Sequence, residues 1–315
     1  MAKYSFGVDV GGTTIKMGFF DEAGNVLEKW EIPTRTENGG VNVLPDIAKA
    51  VEDKLSEKAI EKSQVIGVGI GVPGPVDAKG IVHKCVNLGW GVFNLNEELE
   101  KLLGIPTRSG NDANVAALGE MWKGGGQGYE SIVMVTLGTG VGGGIIMDGE
   151  ILTGAKGAAG EIGHIHVDDG ETEVCGCGNK GCLEQYASAT GVVRLANRIL
   201  AKNTKPTGLV AGQCSAKDVW DAVKAGDEAA LEIAEQFGEY LGKGLASVAC
   251  VINPEAFVIG GGVSKAGDVL LDYIRKNYTP YVFHASRDVQ FTLATLGNDA
   301  GIYGAAKLVV DSVTA

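Results

Sequence analysis

Between residues 5 and 32, apolar and β-branched runs are broken by glycines at 11 and 12 and by the polar stretch Asp21-Glu22-Ala23-Gly24-Asn25. That is the pattern of strands joined by turns, and it predicts an opening antiparallel meander. Residues 43–62 space their apolar positions as a helix does. The apolar run 65–72 predicts a buried strand ending at Pro73-Gly74-Pro75. A short helix is expected near 96–103, stopped by Gly104. After Gly124-Gly125-Gly126 the chain restarts with a strand over 131–137, a glycine loop, the apolar Ile145-Ile146-Met147, a turn at Asp148-Gly149, and Ile151. Beyond a cysteine-rich loop the pattern is helical for about 60 residues, with Ser215 and Asp227 as N-caps, before a strand over 256–259. The last segment, from Asn298, predicts another amphipathic helix. Each half opens with a strand, a glycine loop and a further strand, which points to an internal duplication.

The 315 residues are enough for two domains with cores of their own, and the restart places the boundary near Gly124-Gly125-Gly126. The 49 glycines are about twice the usual share, so tight turns or backbone contacts with a ligand are expected. A net charge of −12 opposes a nucleic-acid or anionic-membrane surface, which would need a clustered Lys/Arg face. Asp9 interrupts the only early apolar run, so no signal-peptide core is expected there, and no apolar stretch reaches membrane-spanning length. The expected location is cytoplasmic. Cys85, Cys214 and Cys250 are scattered, as expected of reduced thiols buried as small apolar groups.

Half of the six cysteines crowd into eight residues. Cys175 and Cys177 are too close for an unstrained disulfide, yet well placed for two thiolates to grip one tetrahedral ion. With Cys182 and His164 they offer four soft ligands, and glycines at 176, 178 and 181 let the backbone fold around them. Four protein ligands leave no open coordination position, so the spacing predicts a structural zinc site rather than a catalytic one. The alternative is a reduced-cysteine cluster beside a core histidine.

Three glycine loops accompany it. In Asp9-Val10-Gly11-Gly12-Thr13-Thr14-Ile15-Lys16, backbone N–H groups, hydroxyls and a lysine can face a phosphate while Asp9 approaches magnesium directly or through water. A hairpin turn without ligand is the plain alternative. Gly138-Thr139-Gly140 opens the second loop, and Gly138, Gly140 and Gly143 fit the spacing G-x-G-x-x-G. A dinucleotide loop should open a helix, however, and here an apolar β-like run follows, which disfavours a dehydrogenase. The third, Gly260-Gly261-Gly262, follows a strand and can pass under an adenosine. Three such loops in one acidic chain favour a nucleotide.

The combination DVGGTTIK, LGTGVGGG, GEIGH, CGCGNKGCLE and GGGVS resembles the ROK family of bacterial sugar kinases and repressors, most closely its ATP-dependent glucokinases. The resemblance spans nearly the whole chain. It implies an α/β, two-domain actin-like ATPase (ribonuclease H-like) fold with an interdomain cleft. Residues 1–122 with 300–315 would form one domain, and 123–299 the other, which carries the zinc loop. It implies ATP, magnesium and structural zinc as cofactors, glucose or a related hexose as substrate, and a homodimer or homotetramer. No nucleic-acid or membrane partner is expected. With the phosphate loop beginning at Asp9, no helix-turn-helix domain like that of the family's repressors is expected ahead of it.

By the same resemblance Asp112 is the general base and Asn111 contacts the sugar, although Asn111-Asp112-Ala113-Asn114 would also serve as a helix cap. Glu161, His164 and Glu184 are implied as further sugar contacts, one ring nitrogen of His164 facing zinc and the other the sugar. His166, two residues on, would face the opposite way in a strand and is not counted. The phosphate cradle is implied to be Gly11, Gly12, Thr13, Lys16, Gly138, Thr139 and Gly140, with Asp9 on the magnesium side and Gly261 and Gly262 near adenosine. Gly74 and Asn87-Leu88-Gly89-Trp90 also fall where the family lines its cleft, and this chain lacks the proline that many members carry between that leucine and glycine. The activity expected is transfer of the ATP γ-phosphoryl group to the 6-hydroxyl of glucose. Kinases for fructose, mannose or an N-acetylhexosamine, and a non-catalytic sugar-sensing regulator, are the alternatives.

Overall fold

The computed structural model describes residues 3–202 and 204–314; residues 1, 2, 203 and 315 of the expected domains lie outside them. The predicted meander is present as β1 (Tyr4–Val10), β2 (Thr14–Asp21) and β3 (Val26–Pro33), paired antiparallel in sequence order. β3 half-buries alternate positions, sets Lys29 and Glu31 toward solvent and ends in Pro33, as an edge strand should. Helix α1 (Val43–Lys58) buries Val43, Ile47, Val51 and Leu55 along one face. β4 (Val65–Val72) matches its expected span, and α2 (Leu95–Leu103) stops at Gly104, which takes the left-handed conformation. β5 (Thr107–Asn111) runs directly into α3 (Asp112–Lys123).

Next come β6 (Ile132–Leu137), β7 (Val141–Met147), β8 (Glu150–Ile151) and a short helix, α4 (Glu184–Ala187). The helical region holds α5 (Ala189–Leu200), α6 (Ala216–Lys224) and α7 (Glu228–Ile252), with Ser215 and Asp227 capping the last two as expected. The chain closes with β9 (Ala256–Gly260), α8 (Asp268–Tyr278), β10 (Gln290–Leu293) and α9 (Ala300–Thr314). Two five-stranded sheets result, in the orders β3-β2-β1-β4-β5 and β8-β7-β6-β9-β10. Counted from where each begins, the two orders are the same, so the duplication read from the sequence is a duplication of topology. It is the strand order of the actin-like ATPase fold. Among the described residues no helix is long and apolar enough to cross a membrane.

By compactness the chain divides into one unit of Met1–Glu130, Gly144–Gly160 and Leu296–Ala315, and a second of Ser131–Gly143 and Glu161–Thr295. The division therefore falls after residue 130 and not at 122, and 144–160 go with the first unit. Two packing facts explain the difference. The fully buried Glu120 accepts hydrogen bonds from the Gly125 and Leu296 amides at 2.8 and 2.9 Å, which ties the triple glycine to the end of α3. Gly144 meets α3 backbone to backbone, since a methyl there would stand 2.7 Å from the Ala113 carbonyl oxygen.

In the first unit α1 and α2 join one face of the sheet in a core that includes Phe6, Val8, Ile70, Val51 and Leu99. α9 is buried on two sides, against β1 and β4 on one and α3 on the other. The expected amphipathic helix is present, with Tyr303, Lys307 and Asp311 along a half-exposed stripe between these two buried sides. Glycines make the fit. A methyl on Gly7 or Gly69 would overlap the carbonyl oxygen of Ile302 or Ala305, and one on Gly304 would overlap that of Val115. Gly304→Ala thus sets propensity against packing. In an exposed helix the change stabilises by up to about 1 kcal/mol, whereas overpacking costs about 1–3 kcal/mol. The backbone atom it meets has little room to yield, so urea denaturation is expected to show net destabilisation.

Candidate functional site

In the first unit the candidate residues stand at the C-terminal ends of three mutually parallel strands: Asp9 on β1, Gly74 just after β4, Asn111 at the end of β5 and Asp112 just after it. Open α/β sheets place their sites at this edge. Asp9 is paired across the β1–β2 ladder with Lys16, whose Nζ donates to the Asn298 carbonyl at 3.1 Å. The turn between them is fixed by Gly11 N–H to the Thr14 carbonyl (3.0 Å) and Thr34 Oγ1 to the Gly11 carbonyl (2.8 Å). Gly11, Gly12 and Thr13 are exposed, and a methyl on Gly12 would touch nothing within 4 Å. Asp9 lies against Gly301 in the first turn of α9, where a methyl would stand 2.6 Å from its Oδ2. Burial pushes the Asp9 carboxyl up to about 6, with Lys16 opposing the shift and the charge of Asp112 adding to it.

Asn111 is the N-cap of α3, its Oδ1 accepting from the Ala113 and Asn114 amides at 3.0 and 3.2 Å. Its Nδ2 donates to the Gly74 carbonyl (3.1 Å) and to Asp112 Oδ1 (2.9 Å). Asp112 is the first residue of the helix, and Oδ1 also accepts from the Ala113 amide at 2.8 Å. Asp112 Oδ1 takes both of these donors at the N-terminus of the helix. The loop at Asn87 folds back so that Trp90 Nε1 donates to the Gly40 carbonyl at 3.2 Å.

The second unit repeats the plan. Gly138-Thr139-Gly140 follows β6, and Gly261-Gly262 follows β9, its parallel neighbour. Gly143 lies inside β7, so the G-x-G-x-x-G spacing is not one loop. A helix N-terminus nevertheless reaches the loop from a distant part of the chain: the Ala189 amide at the start of α5 donates to the Gly138 carbonyl (2.8 Å), and Thr190 Oγ1 to that of Thr139 (2.7 Å). Gly261 has a φ of +84°, and a methyl there would stand 2.5 Å from the Leu137 carbonyl oxygen, whereas Gly262 faces open space. The second and third glycine loops therefore meet. Beside Thr139 and Gly140 a cavity of about 370 Å³ is lined also by Cys175, Glu184 and Arg194.

His164, Cys175, Cys177 and Cys182 bring their ligand atoms within 4.8 Å of one another. Sγ of Cys177 and Cys182 are 3.6 Å apart, and Cys175 Sγ is 3.8 Å from His164 Nδ1. Ligands bound to a tetrahedral zinc ion at roughly 2.0–2.3 Å are separated by such distances, so the four residues fit the ion. Burial pushes the Cys175 thiol up to about 12, a penalty on the thiolate that a cation would cancel. Glu184 Oε1 is 2.9 Å from Cys175 Sγ and 3.7 Å from His164 Nδ1, while Glu161 Oε2 lies 3.9 Å from the other ring nitrogen, Nε2. His166 points elsewhere, to the Lys180 carbonyl and Asp169. Of the scattered cysteines, Cys85 is buried as expected, but Cys214 is half-buried and Cys250 exposed.

Sequence reading missed a group of side chains around the buried Glu171 and Tyr186. Glu171, Tyr186, Arg194 and Arg198 form one network there. No spacing rule links them; only the YxxxxxxxRxxxR order after Glu184, with Tyr186 fully buried, carries a trace of it.

The pattern that defines the ROK family matches residues 5–312. A glucokinase of Halalkalibacterium halodurans is 46% identical over 314 residues, 98% of this chain and 95% of that protein. A glucokinase of Streptomyces coelicolor is 39% identical over 315 residues, covering 96% of each. The crystal structure of a ROK family glucokinase from Streptomyces griseus, in complex with glucose and AMPPNP, is similar with a TM-score of 0.72 and 36% identity, over 97% of this chain and 98% of that one. The chain belongs to the ROK family.

Proposed function

We infer that this chain transfers the γ-phosphoryl group of ATP to the 6-hydroxyl of glucose, giving glucose 6-phosphate and ADP. The observation that carries the reading is the Asp112 carboxylate, oriented by the Asn111 amide and the Ala113 N–H at the same strand edge as Asp9 and the Gly11–Gly12 turn. Such transfer needs in-line positioning, charge neutralisation and a base near the attacking oxygen, and no covalent protein nucleophile. Asp112 accepts the 6-hydroxyl proton as that oxygen attacks phosphorus. Asn111, Glu161, His164 Nε2 and Glu184 bind sugar hydroxyls, with Gly74 holding Asn111 in place through its carbonyl.

Gly11, Gly12, Thr13 and Lys16 in one unit, and Gly138, Thr139 and Gly140 at the α5 N-terminus in the other, offer donors to phosphate oxygens. Gly261 and Gly262 give adenosine an approach without side chains. Magnesium neutralises charge on the phosphates when bound, and Asp9 is the carboxylate that would face it, directly or through water. Zinc on His164, Cys175, Cys177 and Cys182 would keep the loop in shape and supply no reaction step. ATP supply and reduced thiol ligands support a cytoplasmic setting. Val251 and Phe283, exposed on segments joined by Ser286 Oγ to Asn253 Oδ1, support a homo-oligomer, dimer or tetramer.

The reading is tested by ADP release with magnesium-ATP against glucose, fructose, mannose and N-acetylglucosamine. Glucose is expected to lead, and Asp112→Asn to lower kcat about 10²- to 10⁴-fold with little change in glucose KM. Turnover without Asp112 at the wild-type rate would remove the base assignment.

Asp9 gives a pH signature. Its folded pKa lies above its unfolded value, so the stability it contributes is full below about pH 4 and is lost as pH rises through about 6. At pH 8 the magnesium-free protein therefore carries a cost on the order of 2–3 kcal/mol from this group. Asp9→Asn is expected to raise Tm at pH 8, flatten the slope between pH 4 and 6, and abolish stabilisation by magnesium-ATP.

Chelation of zinc is expected to raise KM for glucose well above any change in KM for ATP, because Glu184 contacts the cysteine cluster. Steady-state kinetics on folded, zinc-depleted protein, with folding followed by circular dichroism, provides the check.

A further inference from the structure

α4 has only four residues, and so short a helix has no stability of its own. Its first residue is Glu184, and its position must come from tertiary contacts. They run through Tyr186, which is fully buried and stacks on Tyr240 with ring centroids 3.9 Å apart. The Tyr186 hydroxyl lies 2.5 Å from Glu171 Oε2 and 2.7 Å from Asp168 Oδ2. One hydroxyl proton serves one carboxylate at a time, so each acceptor needs donors of its own. Asp168 takes them from the Gly170 amide (2.9 Å) and the Tyr240 hydroxyl (3.3 Å). Glu171 takes them from Arg198 (3.1 Å) and the Thr172 and Glu173 amides (2.8 and 2.9 Å), and the Arg194 guanidinium stands beside it as an ion pair at 2.6 Å.

Glu171 is the most enclosed charge in this group, with its side chain 1% exposed. Burial pushes its carboxyl up, but the Tyr186 hydroxyl, the Glu173 amide and the two guanidinium groups outweigh that and hold it well below the usual range. The network grips the cysteine loop at both ends. Glu171 fixes the backbone four residues ahead of Cys175. At the other end the Val167 amide, beside Asp168, donates to the Gly181 carbonyl at 2.8 Å, one residue before Cys182.

We propose that Tyr186 and Glu171, with Arg194 and Arg198, are positioning residues that set the place of Glu184 and so the affinity for sugar, a role that rests on the reading of function above. None of the four needs to touch the sugar. A buried carboxylate paired in this way is a poor source of stability, but the donors around Glu171 and the Tyr186 hydroxyl are directional and fix where the ring and the short helix can sit.

Tyr186→Phe keeps the stack on Tyr240 and removes the hydroxyl. Its glucose KM is expected to rise about tenfold, the scale of one lost hydrogen bond to a charged group, with KM for ATP within about twofold and full zinc content by atomic absorption. Glu171→Gln, nearly isosteric, tests the same link from its other end and is expected to show the same split. A contact that only supports the fold would lower Tm and leave both KM values alone; that result in both variants, or equal rises in the two KM values, overturns the proposal. Wild-type protein assayed in parallel separates the two claims. Absence of glucose turnover there overturns the reading of function and this role with it, whereas normal wild-type turnover with unchanged glucose KM in the variants overturns the positioning role alone.

Discussion

Parallel pairing is the constraint on which the candidate site depends. β1, β4 and β5 run the same way, so the loops that follow them emerge at one edge, and Asp9, Gly74, Asn111 and Asp112 are brought together although they span about a third of the chain. β6 and β9 do the same for Gly138–Gly140 and Gly261–Gly262. Antiparallel neighbours would send alternate loops to opposite edges. The glycines around these strands then let helices approach closely, as α9 does over Gly7 and Gly69, and that approach places Gly301 against the Asp9 carboxylate.

In each unit burial penalises the charged form of one candidate cation ligand. Asp9 is raised to about 6 and Cys175 to about 12, each chiefly by loss of solvent. A group whose charged form is penalised in the free protein gains most when a cation arrives, so magnesium in one unit and zinc in the other would each recover a cost built in by folding. Glu171 shows the opposite arrangement. It is as deeply enclosed, yet two arginines, a tyrosine and backbone amides already satisfy it, which suits a permanent support rather than a binding group.

Much of the fold was legible because its signals are local. The meander, the strand at 65–72, the N-caps Ser215 and Asp227 and the stop at Gly104 each depend on a few adjacent residues. The cysteine cluster was legible for the same reason, since three of its ligands lie within eight residues. The course of the triple glycine was not, because it is decided by Glu120, whose carboxylate accepts from the Gly125 and Leu296 amides. Likewise the packing of α3 on one side of α9 is set by partners far away in sequence.

The sequence by itself determined the elements, the glycine loops, the candidate ligand set for zinc and the family, because each is written in residue type and short spacing. Tertiary structure alone decided what those loops stand beside. The α5 N-terminus meets Gly138 and Thr139 from about 50 residues away, and Glu184 is held through Tyr186 by a carboxylate that no periodicity marks. Contacts of that kind depend on which strands pair and which helices cover them, and the free energy that selects the pairing is spread over the whole core rather than stored in any short stretch of chain.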